Sequence, residues 1–422
     1  MSINQTSPQK KKIVWISSLI LDIHLHKTSQ IEVLRALAKR GHEVFLVASY
    51  SSKKDPHELA DVHTISIPLR YVPIFSTVAY VLLLLLYLPL FFLYLKPDFV
   101  IVEPNPTTFS LAPIFLFPRS RKPKIILDIR TTPVYIFGIR GYLKTLFFNI
   151  SLPIAKKFFQ GITIITSLMK KEVCEKFNID SKSVGVWTSG VSTIAFDPEN
   201  YSGTAMRKKF GLEHKFVIFY HGDFGKTRGT IEAIKATEIL KNQYPNLVLF
   251  LLGSGKLNLA IILQKMNIQN MVIVHESVRY AEVPKYIAMC DVGIVPLPNL
   301  PDWRYQCPLN LLEYLAMKKV VIATDIPANR EILGKSKCGI YASSADPKAI
   351  ADAIVCAYNN REMLNEWGAL GRMIVEEKYS WMKVTEDFEV YLFRSKEPLA
   401  ARKLLSDSLI ARPKSLTVEY QS

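Results

Sequence analysis

The chain is predicted to have an α/β fold with two domains. Its 422 residues are more than a domain with a single hydrophobic core usually contains. Of these residues, 49% are hydrophobic, which is enough for two large cores. Short apolar runs such as Ile13–Ser18 and Val320–Ala323 lack polar alternation, which is typical of parallel strands buried on both faces. Polar turns and helical stretches separate these runs, so strands and helices alternate along the chain as in doubly wound sheets.

The first half follows this pattern from its start. Thr28 is expected to cap a helix that runs to Arg40, and Gly41 ends the helix before the next strand. The runs that predict further strands in this half are Val44–Ala48, Asp98–Val102, Ile125–Ile129 and Ile162–Thr166.

The second half repeats the pattern and closes with helices. Asp346 is expected to cap a helix from Pro347 to Tyr358, and the chain to about Phe393 is predicted to be helical, followed by a loose tail. The runs that predict strands here are Phe216–Tyr220, Leu247–Leu252, Met271–Val274, Asp291–Pro296 and Val320–Ala323.

The segment Tyr71–Leu95 contains no charged residue, and its 25 positions are enough to cross a bilayer. The strand Asp98–Val102 follows at once and is expected to pair in the same sheet as Ile13–Ser18. A single crossing would put these two strands on opposite sides of the membrane. A helix that packs on the sheet, with its outer face in lipid or buried, is therefore the favoured interpretation, and a true span is the alternative.

Positive charge dominates the chain. Lys and Arg number 53 against 37 Asp and Glu, a formal charge of +16, which indicates an anionic partner. Residues 104–171 contain eleven Lys or Arg and a single acidic residue, Asp128, with many interleaved aromatic residues. Nucleic acid would suit such a surface, but no nucleic-acid-binding fold accompanies it, and an anionic membrane surface fits better. An ordinary solvated basic face is the remaining alternative.

The five cysteines are scattered and form no CxxC pair. This pattern indicates a reducing compartment and argues against a structural zinc site.

Two stretches carry candidate binding residues. Glu313 lies in the second turn of a predicted helix, Pro308–Met317, at the edge of the sheet where α/β folds bind ligands. A carboxylate there can accept both hydroxyls of a ribose, although a solvated helix residue would look the same. Gly222 and Gly225 follow a strand in HGDFGKTRG and allow the backbone to approach a diphosphate, which Lys226 and Arg228 can neutralise.

The stretch from Tyr305 to Leu333, the GHEV at Gly41–Val44 and the WTSGV at Trp187–Val191 resemble glycosyltransferase family 4. The resemblance implies the GT-B fold: two Rossmann-like domains that face a central cleft, with a C-terminal helix that packs back on the first domain. It also implies a reaction that retains anomeric configuration and needs neither metal nor cofactor.

The resemblance assigns roles residue by residue. Arg228 and Lys226 are the expected catalytic cations. The expected donor-binding residues are Glu313, Gly222, Val278, Pro308, Leu309 and Asn310. On the acceptor side the expected residues are Asp128, Arg130 and Lys27. Arg130 matches the family by location and not by residue type. Lys27 lies in the loop where the family usually has a Gly pair, and an ordinary surface lysine is an equally good interpretation of it.

The chain departs from the family pattern at two further positions. Tyr305 stands where the family has the first of two Glu, the one that touches the donor sugar, and Asp223 stands where it has a basic residue. These departures keep open a catalytically silent partner subunit of the same fold. A soluble sugar-nucleotide enzyme such as an epimerase is a third possibility.

The expected function is transfer of a sugar from a nucleotide-sugar to a lipid-linked acceptor at the cytoplasmic face of a membrane. The expected divisions are a flexible start (1–11), an acceptor and membrane domain (12–196), a nucleotide-sugar domain (197–372), a returning helix (373–395) and a tail (396–422).

Overall fold

A computed structural model describes residues 10–20, 28–50, 61–69, 72, 75–118, 120, 122–133, 138–255 and 257–394. The chain forms two compact units. Unit 1 comprises the residues up to Val186 together with those from Asp387 onward, and unit 2 comprises Trp187–Glu386. Each unit contains one parallel β-sheet with helices around it.

The sheet of unit 1 has seven parallel strands in the order β3-β2-β1-β4-β5-β6-β7. These are β1 (Lys12–Ile20), β2 (Glu43–Tyr50), β3 (His63–Pro68), β4 (Phe99–Val102), β5 (Lys124–Ile129), β6 (Gly161–Ile164) and β7 (Val184–Val186). The helices around it are α1 (Thr28–Lys39), α2 (Phe75–Leu95), α3 (Gly138–Phe158) and α4 (Ser167–Phe177), with a 3-10 helix at Pro106–Leu116. All five strands predicted for this half are present.

β1 and β4 are neighbours, with Ile13 opposite Phe99 and Ile16 opposite Val102. The prediction that these two strands share a sheet is confirmed. α2 joins β3 to β4, and both strands belong to that sheet. Since the strands before and after α2 are in one sheet, the helix makes a crossover connection between them.

α2 has one buried face and one exposed apolar face. The buried face contains Tyr80, Leu84, Leu88, Phe92 and Leu95. The Tyr80 hydroxyl donates to the carbonyl oxygen of Ser17 at 2.9 Å, which fixes the helix to β1, and burial raises the pKa of this phenol. By length and composition α2 is also able to cross a membrane, the one helix of the described residues for which this holds.

The sheet of unit 2 has six parallel strands in the order β10-β9-β8-β11-β12-β13. These are β8 (Phe216–Asp223), β9 (Leu247–Ser254), β10 (Val272–His275), β11 (Val292–Val295), β12 (Val320–Thr324) and β13 (Gly339–Ala342). The α-helices that begin in this unit are, in chain order, α5 (Thr204–Phe210), α6 (Thr230–Leu240), α7 (Leu259–Met266), α8 (Val283–Ala288), α9 (Pro301–Arg304), α10 (Leu309–Ala316), α11 (Pro327–Leu333), α12 (Pro347–Asn359), α13 (Leu364–Ile374) and α14 (Trp381–Arg394).

Both sheets reverse their strand order beside the first strand of the unit, as Rossmann-like folds do. In unit 2 this switch point lies between β8 and β11. Ligands of open α/β sheets bind at the carboxyl ends of the strands at such a point. The segments that follow β8 and β11 are therefore the expected location of a binding site.

The last helix, α14, belongs to unit 1 from Asp387 onward. Glu389 is buried and accepts hydrogen bonds from Arg40 and from His42, the latter with 3.1 Å between Nε2 and Oε1. The Tyr391 hydroxyl donates to the carbonyl oxygen of Ser183 at 2.6 Å. These contacts confirm the predicted return of the C-terminal helix to the first domain.

The predicted cap of α12 is confirmed, because the Asp346 side chain accepts from the N–H of Lys348 at 2.8 Å. The sequence places the domain divisions at residues 196 and 373, whereas the compact units change at Val186 and at Glu386.

Candidate functional site

The turn after β8 is the first part of the site. β8 ends at Asp223, and Gly222 has a φ of 135°, a backbone conformation that favours glycine. Gly229 precedes α6 with a φ of 74°, and a Cβ there would overlap the carbonyl oxygen of Pro296. The two glycines therefore allow the turn to leave the sheet and return closely packed against the segment after β11.

Both predicted catalytic cations lie in this turn. Lys226 is exposed, and Arg228 is half-buried. The guanidinium carbon of Arg228 lies 4.2 Å from the ring centroid of Trp303, a cation–π contact. Arg228 Nε is 4.0 Å from Oδ2 of Asp223, the residue at the position where the resemblance predicts a basic side chain. Asp223 thus forms an ion pair of modest strength with Arg228, because water reaches both side chains, which are 59% and 38% exposed.

α10 is the second part of the site. Pro308 is its N-terminal cap residue, so the helix predicted at Pro308–Met317 begins at Leu309 and ends at Ala316. The Asn310 side-chain amide donates to the carbonyl oxygen of His221 at 3.5 Å, a long hydrogen bond. The backbone N–H of His221 donates to the Tyr314 hydroxyl at 3.2 Å. These contacts place the start of α10 beside the end of β8.

Glu313 is a buried carboxylate, with 2% of the residue exposed. The Tyr280 hydroxyl donates to its Oε1 at 2.8 Å. His221 Nε2 lies 3.0 Å from Oε2, without the alignment of a hydrogen bond. A solvated helix position, the simpler interpretation of the sequence, is therefore wrong for Glu313. Its Oε2 is a buried acceptor at the edge of the sheet, without a hydrogen-bond donor in the structure.

The remaining predicted donor residue, Val278, is half-buried in the loop after β10, two residues before Tyr280. The described part of the chain brings together no group of three His, Cys, Asp or Glu side chains that could hold a metal ion.

The predicted acceptor residues lie in unit 1. Asp128 is within β5 and completely buried, where it accepts a hydrogen bond from the Thr163 hydroxyl at 2.7 Å. Arg130 follows the end of β5 and is half-buried. Lys27 lies outside the described residues. The acceptor roles of all three stay predictions.

Three side chains of the site were not predicted: His221, Tyr280 and Trp303. His221 begins the Gly-rich stretch HGDFGKTRG, which the sequence singles out. Trp303 lies two residues before the stretch Tyr305–Leu333, just outside it. Tyr280 is different, because no local pattern connects it with Glu313, which lies 33 residues later.

Two family models match the chain. "Glycosyl transferases group 1" matches residues 203–373, and "Glycosyltransferase Family 4" matches residues 28–194. YtcC of Bacillus subtilis, which carries a glycosyltransferase name, is 25% identical over 236 residues, 52% of this chain and 56% of its own. The chain thus spans about half the length of the relatives that it matches first.

Solved structures show the same fold. A glycosyltransferase from Rickettsia africae has a TM-score of 0.70 at 16% identity, over 91% of this chain and 98% of that one. HepE of Anabaena in complex with UDP has a TM-score of 0.68 at 11% identity, over 91% of this chain and 100% of that one. The fold is therefore GT-B, and the two family models together cover most of the chain. The chain belongs to glycosyltransferase family 4.

Proposed function

We propose that the chain transfers a sugar from a nucleotide-sugar donor and that unit 2 binds the donor at the carboxyl ends of β8 and β11. One observation carries this proposal: the cationic turn 222–229 and the buried carboxylate of Glu313 lie at the same edge of one sheet. His221, which directly precedes the turn in the chain, lies 3.0 Å from Glu313 and also contacts Asn310 and Tyr314 of α10. A nucleoside diphosphate has the matching chemistry, because its diphosphate is anionic and its ribose donates hydroxyl hydrogens.

Arg228 and Lys226 have the diphosphate role in this proposal. Negative charge grows on the diphosphate as the sugar leaves, and a fixed cation beside it stabilises the transition state more than the ground state. The glycines of the turn allow the backbone to come close to the phosphates. We propose a reaction that retains anomeric configuration and needs neither metal nor cofactor, as in the family that the chain resembles.

Glu313 has the ribose role. Tyr280 occupies its Oε1, and its Oε2 has no hydrogen-bond donor in the structure, so this oxygen is the acceptor for a ribose hydroxyl. The loop at Val278 and the start of α10, Pro308 to Asn310, complete the donor site. The UDP in the HepE structure supports this class of ligand for the fold.

We further propose that the acceptor is lipid-linked and that unit 1 binds the cytoplasmic surface of a membrane. The exposed apolar face of α2 supports this: Leu86, Leu90 and Tyr94 are 75%, 70% and 87% exposed. In the same unit, the last turn of α3 contains Lys156 and Lys157. An apolar helix face and a basic surface together give firm attachment where either alone is marginal.

The donor proposal is tested by titrating the purified protein with UDP, GDP and ADP and measuring hydrolysis of the matching nucleotide-sugars. We expect one nucleotide to bind and its sugar conjugate to turn over. Binding without turnover, even with added lipid acceptor, would favour the interpretation as a catalytically silent subunit. The ion pair of Asp223 with Arg228 is the observation that supports this alternative. No binding of any of the three would refute the donor proposal.

The membrane proposal is tested by flotation with vesicles of phosphatidylcholine, with and without phosphatidylglycerol. We expect wild type to float with the anionic vesicles and the double variant Leu86→Glu/Leu90→Glu to stay in solution. Ile194→Glu is the matched control, because Ile194 is an exposed apolar residue of unit 2. Equal flotation of the double variant and the control would contradict the assignment of α2 as the membrane-binding element.

A further inference from the structure

Trp303 lies between the two segments of the donor site. It belongs to the short helix α9, in the connection between β11 and α10, and it is half-buried. Its indole N–H donates to the carbonyl oxygen of Thr227 at 2.7 Å, and the guanidinium of Arg228 stacks 4.2 Å from its ring centroid. A single side chain therefore contacts both the backbone and the cation of the turn after β8.

The neighbours of Arg228 explain why such a contact matters. The Arg228 side chain is 38% exposed. Besides Trp303 it has one charged neighbour among the described residues, Asp223, with 4.0 Å between Nε and Oδ2. An arginine that is held only by an exposed carboxylate keeps much of its rotamer freedom and has to be ordered when an anion binds. The Trp303 ring supplies a flat surface on one side of the guanidinium and leaves its N–H groups free to donate in the plane.

We propose that Trp303 is a positioning residue: it holds Arg228 in the orientation that binds the donor diphosphate. The indole–Thr227 hydrogen bond fixes the turn, and the ring fixes the guanidinium, so the cation is ordered before the nucleotide arrives. Prior ordering lowers the entropic cost of binding and keeps the charge aligned as the diphosphate leaves. This inference rests on the proposed function, since it assigns a role to Trp303 only through Arg228.

Trp303 lies two residues before Tyr305, where the chain departs from the family pattern. In this chain the connection between β11 and α10 thus contributes an aromatic surface for Arg228, the cation proposed to bind the diphosphate.

The test is a double-mutant cycle on nucleotide affinity. Using whichever of UDP, GDP and ADP binds wild type most tightly, calorimetry measures the Kd for wild type, Trp303→Leu, Arg228→Ala and the double variant. We expect Trp303→Leu to weaken binding about fivefold, the scale of a partly buried cation–π contact. In the Arg228→Ala background the same change should have no further effect, because the group that it positions is gone.

Two further variants separate positioning from packing. Trp303→Phe keeps an aromatic face below the guanidinium and should recover most of the affinity. Trp367→Leu is the matched control: Trp367 is a half-buried tryptophan of unit 2 with the Lys337 ammonium 5.8 Å from its ring, and its loss should leave the Kd unchanged. Thermal melting of every variant checks that the fold is retained.

The outcomes distinguish the inference from the function on which it depends. If Arg228→Ala weakens binding and Trp303→Leu does not, or if Trp303→Leu weakens binding equally in both backgrounds, the inference is wrong and the donor site stands. If none of the three nucleotides binds the wild type, the proposed function fails and the inference fails with it.

Discussion

Replacing Glu313 by Gln removes the charge of the buried carboxylate and keeps its shape. The amide oxygen can still accept the hydrogen bond from Tyr280, and the new NH2 group faces His221 Nε2, which lies 3.0 Å from the present oxygen. Because Gln has nearly the same size and shape as Glu, the substitution fits the site sterically. We therefore expect a folded protein that binds its nucleotide weakly.

The size of the loss follows from the type of interaction. A hydrogen bond to a charged group contributes about 1.5–3 kcal/mol, against about 1 kcal/mol for a neutral pair. At 1.4 kcal/mol for each factor of ten, complete loss of the charged bond raises the Kd about 10- to 150-fold. Burial of the Glu313 carboxylate favours the upper part of this range, because water screens it poorly.

Isothermal titration with a ribonucleoside diphosphate and its 2′-deoxy form makes the assay specific for ribose recognition. Wild type should prefer the ribonucleotide, and Glu313→Gln should lose most of this preference together with its affinity. Glu362→Gln, a change at an exposed glutamate of unit 2, is the control and should bind like wild type. If the folded Glu313→Gln variant binds as tightly as wild type, or weakens both nucleotides by the same factor, Glu313 does not hold the ribose.

Four other experiments test separate parts of the account. Arg228→Ala should lower turnover more than donor affinity, because its charge acts mainly in the transition state; steady-state kinetics with preserved turnover at saturating donor would contradict this. Gly229→Ala should lower the melting temperature by several degrees, since φ is positive and Pro296 blocks a Cβ, and an unchanged melting temperature would show that the turn adapts. At pH 8 a thiol reagent should modify only Cys356 in the native protein and all five cysteines after denaturation, because the other four are buried and burial raises the pKa of Cys290 to about 12. Tags at the two chain ends should be accessible from the same side of the membrane, because α2 begins and ends at one sheet; opposite sides would mean that α2 crosses.

Most of the strands could be predicted because they are continuous apolar runs. β4 and β12 are completely buried, so every residue of these short strands is apolar or small, and polar turns mark their ends. β3, β7 and β13 were not predicted, and all three are edge strands. In β3, half-buried and exposed residues mix, and its sequence HTISIP has no continuous apolar run.

The location of the candidate site at the edge of the unit 2 sheet could also be predicted, but the hydrogen-bond partners of its carboxylate could not. The position of Glu313 follows from the spacing of a helix against a sheet edge. Its neighbours His221 and Tyr280 come from other parts of the chain, and only the packing of β8 and of the segment after β10 against α10 brings the three together. Asp128 is a second example. Its place near the end of a strand was correctly predicted, but its complete burial against Thr163 depends on the register of β5 and β6, which the sequence does not show.

Transfer of labelled sugar to lipid tests the central claim most directly. The purified protein is incubated with radiolabelled UDP-, GDP- and ADP-sugars and a lipid extract of its host, and label in the organic phase is counted. We predict that one donor labels the lipid with wild type and that Arg228→Ala abolishes most of this transfer. Wild-type protein that binds the nucleotide but moves no label from any donor, while a known glycosyltransferase labels its acceptor in the same extract, would contradict the account.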